Sequence, residues 1–272
     1  MRFCLTCNKN IKKWKQQICS LCSRDPFKIE EGRKILAKNH KIDILRKMYN
    51  RSFAEIKNVN TGKFWDKKLW RSESCYDQDG MTRDRVEVSV SFVPHRAKRI
   101  LDVGVGHGFF EERILSEGKN HAIYGIDIAP QGIRLINKKY KGEFSVGSIY
   151  NIKYPNGYFD VVSALEVLEH IPPHRVFAAY KEINRVLSRR GTLIVSVPLN
   201  EGLRGMNNNP SGHVREYSKE LIISELQLAG FKTVSHAFFF AFEKFYIIKK
   251  ILQKVLWFKW KPNNVIIKAM KI

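Results

Sequence analysis

A chain of 272 residues can bury one sizeable core and carry a small appended module, and 44% hydrophobic with 12% aromatic residues excludes a disordered polymer. No apolar run approaches the ~20 residues of a membrane-spanning helix, and the opening MRFCLTCNKNIKKWKQQ lacks the apolar segment and small-residue cleavage site of a secretion signal, so a cytoplasmic location is expected. The formal net charge of +22 sits at the two ends: residues 1–71 hold 19 Lys/Arg against 6 Asp/Glu, residues 232–272 hold 9 against 1, and everything between holds 20 against 19.

Basic ends of this density persist most comfortably against an anionic partner, whether nucleic acid, lipid headgroups or an acidic substrate. Solvated lysine-rich surfaces are the ordinary alternative. Four of the five cysteines lie in the first 22 residues as Cys4-x-x-Cys7 and Cys19-x-x-Cys22. Paired C-x-x-C turns bring four thiolates into one tetrahedral shell, which points to a structural zinc ion over residues 1–26. Too few apolar residues lie there to fold alone, so metal binding would supply much of the folding energy. An iron–sulfur cluster would use the same thiolates, and disulfides are disfavoured where no secretion signal precedes them. Zinc modules of this size bind RNA or brace a neighbouring domain. Cys75 reads as a small apolar filler.

Residues 27–75 read as a basic helical linker or cap. Ile35, Leu36, Ile42, Leu45, Met48 and Tyr49 follow a helical period. Thr61 to Trp70 reads as a turn-rich stretch whose aromatics are placed to cover a ligand pocket or simply to pack.

From Ile100 onward short apolar strands alternate with helical patterns, the signature of a parallel sheet with helices on both faces. The expected strands are Ile100–Val103, Ala122–Ile126, Phe144–Val146, Phe159–Leu165, Thr192–Val197, a segment from Phe231, and Val265–Met270. The expected helices are Phe109–Glu117, Gln131–Tyr140, Val176–Leu187 and Lys219–Ala229. Together, residues 76–272 form one α/β domain of Rossmann-like type.

Asp102-Val103-Gly104-Val105-Gly106-His107-Gly108 falls between the first strand and its helix. Glycines there permit a tight turn and close approach of a ligand to the backbone, and the helix N-terminus offers free N–H groups. The spacing is G-x-G-x-G, whereas dinucleotide enzymes prefer G-x-G-x-x-G. Asp127, at the end of the second strand, stands where a carboxylate accepts hydrogen bonds from both ribose hydroxyls.

LDVGVGHG, the GID of the second strand, FDVVSALEVLEHI and VREYSKELIISELQLAGF resemble class I S-adenosylmethionine-dependent methyltransferases of the broad ubiquinone-biosynthesis-like superfamily, over roughly Phe64 to Ile272. The resemblance implies a seven-stranded sheet, S-adenosyl-L-methionine as cofactor, and Asp102, Gly104, Gly106 and Gly108 at its methionine end. It implies Asp127 and Ile128 at the ribose, Ser148 and Ile149 flanking the adenine, and Glu166 at the junction of cofactor and acceptor. Many relatives carry aspartate where Ser148 stands.

Glu166-x-x-Glu169-His170 and the later His213 form the candidate catalytic cluster, because open α/β sheets bind ligands at the carboxyl ends of their strands. Two carboxylates and two imidazoles suit Mg or another divalent metal. The layout resembles that of small-RNA 3′-end ribose 2′-O-methyltransferases, and ubiquinone-pathway catechol O-methyltransferases share E-x-x-E-H. A general base at His170 or His213 is the metal-free alternative.

Residues 237–261 interleave aromatic and aliphatic residues with Lys244, Lys249, Lys250, Lys254, Lys259 and Lys261. A basic amphipathic helix from about Glu243 would pack on its own domain, form a substrate lid, or lie in an anionic membrane interface, peripheral to the inner face of the membrane. The expected activity is O-methylation of a small-molecule, lipid-linked or glycan hydroxyl. An RNA methyltransferase and a non-catalytic binding module that keeps the cofactor fold are the alternatives.

Overall fold

A computed structural model describes residues 58–69, 80–172, 175–199, 201, 210–241, 246–255 and 260–272. The four cysteines of residues 1–26, Cys75 and most of the linker at 27–75 lie outside the described residues.

The elements run α1 (Gly62–Leu69), α2 (Gly80–Ser91), β1 (Arg99–Val103), α3 (Phe109–Ser116), β2 (Ala122–Asp127), α4 (Pro130–Lys139), β3 (Glu143–Val146), β4 (Phe159–Leu165), α5 (Val176–Val186), β5 (Leu187–Pro198), α6 (Lys219–Leu228), β6 (Phe231–Phe239), α7 (Tyr246–Val255) and β7 (Asn264–Lys271), with a 3₁₀ turn at Leu168–His170 after β4. One seven-stranded sheet has the order β3-β2-β1-β4-β5-β7-β6. The first five strands are parallel, while β7 inserts antiparallel between β5 and β6. The sheet is therefore mixed rather than wholly parallel. The strand order reverses between β1 and β4, so the loops after those strands splay apart and leave a crevice at their carboxyl ends.

Strands buried on both faces explain the nearly continuous apolar runs of the sequence. On one side Phe177, Tyr180 and Ile183 of α5 pack with Leu221 and Leu226 of α6. On the other, Val90 of α2, Phe110 and Ile114 of α3 and Ile133 and Ile136 of α4 form the second core cluster.

Two helices depart from the sequence pattern. Residues 62–69 form α1 rather than a turn-rich stretch: Thr61 caps it, accepting from Phe64 N at its Oγ1 (3.2 Å) and from Trp65 N at its carbonyl (3.1 Å). Asp66 in turn accepts from Gln131 N (2.9 Å) and Gly132 N (3.2 Å), satisfying free donors at the start of α4. α2 is hidden because Val86, Val88 and Val90 alternate like a strand, yet the buried residues are Val86, Ser89 and Val90, which lie at helical spacing.

A buried ion pair ties the second half of the domain to the crevice. Arg215 and Glu225 are fully buried and bidentate, at 2.6 and 3.1 Å. Arg215 Nε also donates to the Leu168 carbonyl (3.2 Å), and Tyr217 and Tyr180 hydroxyls donate to Glu225 (3.0 and 3.4 Å). Val214 N donates to the Glu169 carbonyl (2.9 Å), so the 3₁₀ turn and the segment around His213 are held together.

Removing one partner of a buried pair leaves an uncompensated charge, so Arg215→Ala should lose about 3–5 kcal/mol of stability. A urea unfolding midpoint equal to that of the parent chain would show that the pair does not anchor the turn.

Candidate active site

The loop after β1 begins the site. Gly104, Gly106 and Gly108 hold φ of 83°, 54° and 77°, the left-handed region that favours glycine. A Cβ on Gly104 would stand 2.6 Å from Val167 Cγ2, so the loop after β4 closes directly over it. Asp127 Oδ2 accepts from Gly106 N (3.1 Å) and Oδ1 from Ala129 N (2.8 Å), which fixes the carboxylate at the crevice with acceptor capacity remaining.

Behind the loop lies an acidic pair that the sequence pattern did not reveal. Asp102 accepts from Ser163 Oγ (2.5 Å) and is almost fully buried, and Glu111 of α3 is fully buried beside it. Among the described residues neither Glu111 oxygen has a donor; its carboxyl meets that of Asp102, a contact that requires a proton on one of the two. Burial pushes Asp102 up to about 6 against the pull of Ser163, and burial with the Asp102 charge pushes Glu111 well above the carboxylate range. Glu111 shares a helix face with Phe110 and Ile114, which is the signal that could have found it.

At the end of β4, Glu166 occupies the left-handed region at φ 56°, a conformation that non-glycine residues keep only where the surroundings hold it. Its N–H donates to Ser196 Oγ (3.1 Å), while its carboxylate accepts from Ser196 Oγ (2.6 Å) and Asn264 Nδ2 (2.9 Å) and pairs with Arg85 of α2 (3.0 Å).

Glu166 is thus committed to β5, β7 and α2. Glu169, His170 and His213, by contrast, bring one ligand atom each to within 4.8 Å of one another. Glu169 is fully buried, and among the described residues neither of its oxygens is hydrogen-bonded, Oε1 lying 3.9 Å from His170 Nε2; burial followed by the Glu166 charge raises its carboxyl well above the usual range. His170 Nδ1 lies 3.1 Å from the Gly212 carbonyl, which requires that nitrogen to carry the proton and leaves Nε2 as an acceptor. Burial drives His170 down to about 3, so the ring is neutral. His213 Nδ1 sits 2.7 Å from Glu201 Oε1, and the two imidazoles are 4.9 Å apart.

α1 roofs this corner. Trp65 meets His170 edge-on at 4.6 Å, and Lys68 Nζ donates to the Ser211 carbonyl (2.9 Å). Asn60 Nδ2 donates to the Gly212 carbonyl (2.7 Å). Burial lowers Lys68 against the pull of Glu169. Lys68 and Arg85 join the lining although nothing in the sequence period marks them.

One cavity of about 500 Å³ is lined by Asp102, the 103–107 loop, Asp127, Ile128, Ser148, Ile149, Glu166, Glu169, His170 and His213 among others. Gly108, expected with them, sits one residue beyond the lining, where a Cβ would meet Tyr140 at 2.6 Å. Among the described residues the Glu169–His170–His213 donor set is compatible with a divalent ion: an orphaned buried carboxylate and two imidazoles converge.

Residues 101–195 match the family described as a methyltransferase domain. The 2-methyl-6-phytyl-1,4-hydroquinone methyltransferase of Synechocystis sp. is 30% identical over 136 residues, 44% of this chain and 42% of that protein. The ubiquinone biosynthesis O-methyltransferase of Dechloromonas aromatica is 27% identical over 159 residues, 56% of this chain and 61% of that protein. The chain thus spans about half of the length of these curated relatives. Among solved structures, the 1,6-didemethyltoxoflavin-N1-methyltransferase of Burkholderia thailandensis, with bound 1,6-didemethyltoxoflavin and S-adenosylhomocysteine, superposes with a TM-score of 0.58 at 15% identity, covering 80% of this chain and 93% of that one. The fold is the Rossmann-like methyltransferase fold. The matched segment carries the glycine loop, Asp127 and Glu166 to His170, and ends before His213 and Arg215.

Gly104→Ala combines a left-handed backbone with the Val167 contact and should cost about 1–3 kcal/mol. Adding Val167→Ala should recover the steric part alone. Chemical denaturation of the two variants checks this, and a Gly104→Ala midpoint equal to the parent's would remove the close approach of the two loops.

Proposed function

We propose that the chain transfers a methyl group from S-adenosylmethionine to a hydroxyl of a small-molecule, lipid-linked or glycan acceptor. The observation that carries this reading is the single cavity joining the glycine loop and Asp127 to Glu169, His170 and His213. Its volume is that of a ligand pocket, and its two ends offer different chemistry.

At the first end, the backbone of Gly104 to Gly106 allows close approach of an amino-acid group, Asp127 accepts from ribose hydroxyls, and Ser148 and Ile149 flank the adenine. The Asp102–Glu111 pair supplies negative charge where a cationic ammonium and sulfonium would lie. S-adenosylmethionine supplies a methyl group on sulfur, which the acceptor oxygen attacks in line with departure of S-adenosylhomocysteine. Positioning contributes much of the rate. At the second end, the neutral His170 offers Nε2 as a hydrogen-bond acceptor that orients the acceptor hydroxyl, burial having lowered its basicity to about 3. Glu169, His170 and His213 would also hold a divalent ion, which when bound would lower the pKa of the acceptor hydroxyl. Cys4, Cys7, Cys19 and Cys22 are a donor set suited to structural zinc, and metal analysis of the purified chain should return stoichiometric zinc that is absent when the cysteines are replaced by serine.

Titration calorimetry with S-adenosylmethionine tests the reading. Asp127→Ala should abolish binding, whereas Glu169→Gln and His213→Ala should lower turnover by a factor of about 10²–10⁴ with little change in cofactor affinity. Unchanged affinity in Asp127→Ala would remove the cofactor assignment.

Cofactor affinity should also depend on pH in a defined direction. A cationic ligand favours the ionised form of the Asp102–Glu111 pair, so binding releases protons and affinity rises with pH through about 6, where Asp102 titrates. Glu111→Leu removes the hydrogen bond that holds Asp102 down and should move the acid fall in affinity to higher pH. An identical profile in both proteins would show that the pair does not face the cofactor.

A further inference from the structure

Among the described residues, α7 is attached by one face and exposed on the other. Tyr246 and Lys250, one turn apart, both donate to Asp84 of α2, and the Tyr246 ring lies where a Cβ on Gly80 would fall at 2.7 Å. The face opposite, by the 3.6-residue period, carries Ile247, Ile248, Ile251 and Leu252. These four are 68%, 57%, 61% and 44% exposed. A helix that packs on its own domain turns its apolar stripe inward; here the face carrying Tyr246 and Lys250 is docked and the apolar stripe is exposed.

The occupant is selected by charge. The surrounding segment 232–272 holds 9 Lys/Arg against 1 Asp/Glu, and the whole chain carries +22. A second copy would bring the same positive charge against it. Four aliphatic side chains offer nothing to phosphates or stacked bases, which single-stranded nucleic acid partners meet with basic grooves and aromatic platforms. An anionic bilayer satisfies both features at once, taking aliphatic side chains below its headgroups and basic residues among them. No helix among the described residues is long and apolar enough to cross a membrane, which fits a helix lying in the interface.

We propose that α7 docks the protein on an anionic lipid surface through Ile247, Ile248, Ile251 and Leu252. The tether shares α2 with the cavity: Asp84 holds α7, while the next residues, Arg85 and Val86, line the pocket. The proposal concerns lipid binding alone and does not rest on the methyl-transfer reading.

Co-sedimentation with vesicles of phosphatidylcholine, and of equimolar phosphatidylcholine and phosphatidylglycerol, tests it in the full chain. The parent chain should pellet with the anionic vesicles and much less with the neutral ones. The double variant Ile248→Ser/Ile251→Ser, altered only at exposed positions, should lose on the order of tenfold or more in partitioning while keeping its unfolding midpoint and its S-adenosylmethionine affinity. Equal partitioning of parent and variant would overturn the proposal, because attraction would then come from the basic ends alone. So would a self-associating parent whose oligomer is lost in the variant, since the face would then belong to a second copy.

Discussion

The buried Arg215–Glu225 pair is the constraint on which the Glu169–His170–His213 corner depends. Two full charges are tolerated in the core only because the guanidinium and carboxylate engage bidentately and the remaining sites are taken by Tyr217, Tyr180 and the Leu168 carbonyl. That saturation has a geometric consequence. Leu168 opens the turn carrying Glu169 and His170, and Arg215 follows His213 by two residues, so one ion pair sets the distance between groups far apart in sequence. The hydrogen bond from Val214 N to the Glu169 carbonyl repeats the link one residue closer to the chemistry. The scaffold thus holds the cluster, whose own side chains meet only through the two imidazoles and the 3.9 Å approach of His170 Nε2 to Glu169, and no hydrogen bond among the described residues engages the Glu169 oxygens.

The two ends of the cavity are set in opposite electrostatic senses. Beside the glycine loop, Asp102, Glu111 and Asp127 crowd carboxylates that have little solvent, and burial raises each of them. A cationic ligand relieves that crowding. At the other end, burial strips His170 of its proton, and the surrounding Trp65, Lys68 and Asn60 come from α1 and the segment before it. Glu166 stands between the two ends, held in a left-handed conformation by Ser196, Asn264 and Arg85. Its commitment to those partners separates it from Glu169 and His170, although all three share one short motif.

Much of the fold was legible because a sheet covered on both faces writes apolar runs with sharp boundaries. Phe159–Leu165 matches its expected limits, and the other sheet strands differ chiefly at their ends. The antiparallel insertion of β7 was not legible, since an apolar strand carries no mark of its direction. α2 was missed because its valines alternate with polar residues, and α1 was read as turns because its cap, Thr61, precedes aromatics that also suit a loop. Of the candidate site, residues 104–107 of the glycine loop, Asp127, Glu169, His170 and His213 line one cavity. Glu111 and Arg215 did not declare themselves: each is a charged residue whose burial follows from a partner distant in sequence, Asp102 in one case and Glu225 in the other.

A crystal structure of the chain with S-adenosylhomocysteine tests the central assignment most directly. The expected result places the ribose hydroxyls on the Asp127 carboxylate, the amino-acid end against Gly104 to Gly106, and the sulfur directed toward Glu169, His170 and His213. A ligand bound elsewhere, or one whose sulfur faces away from that cluster, would contradict a methyl-transfer site in this cavity.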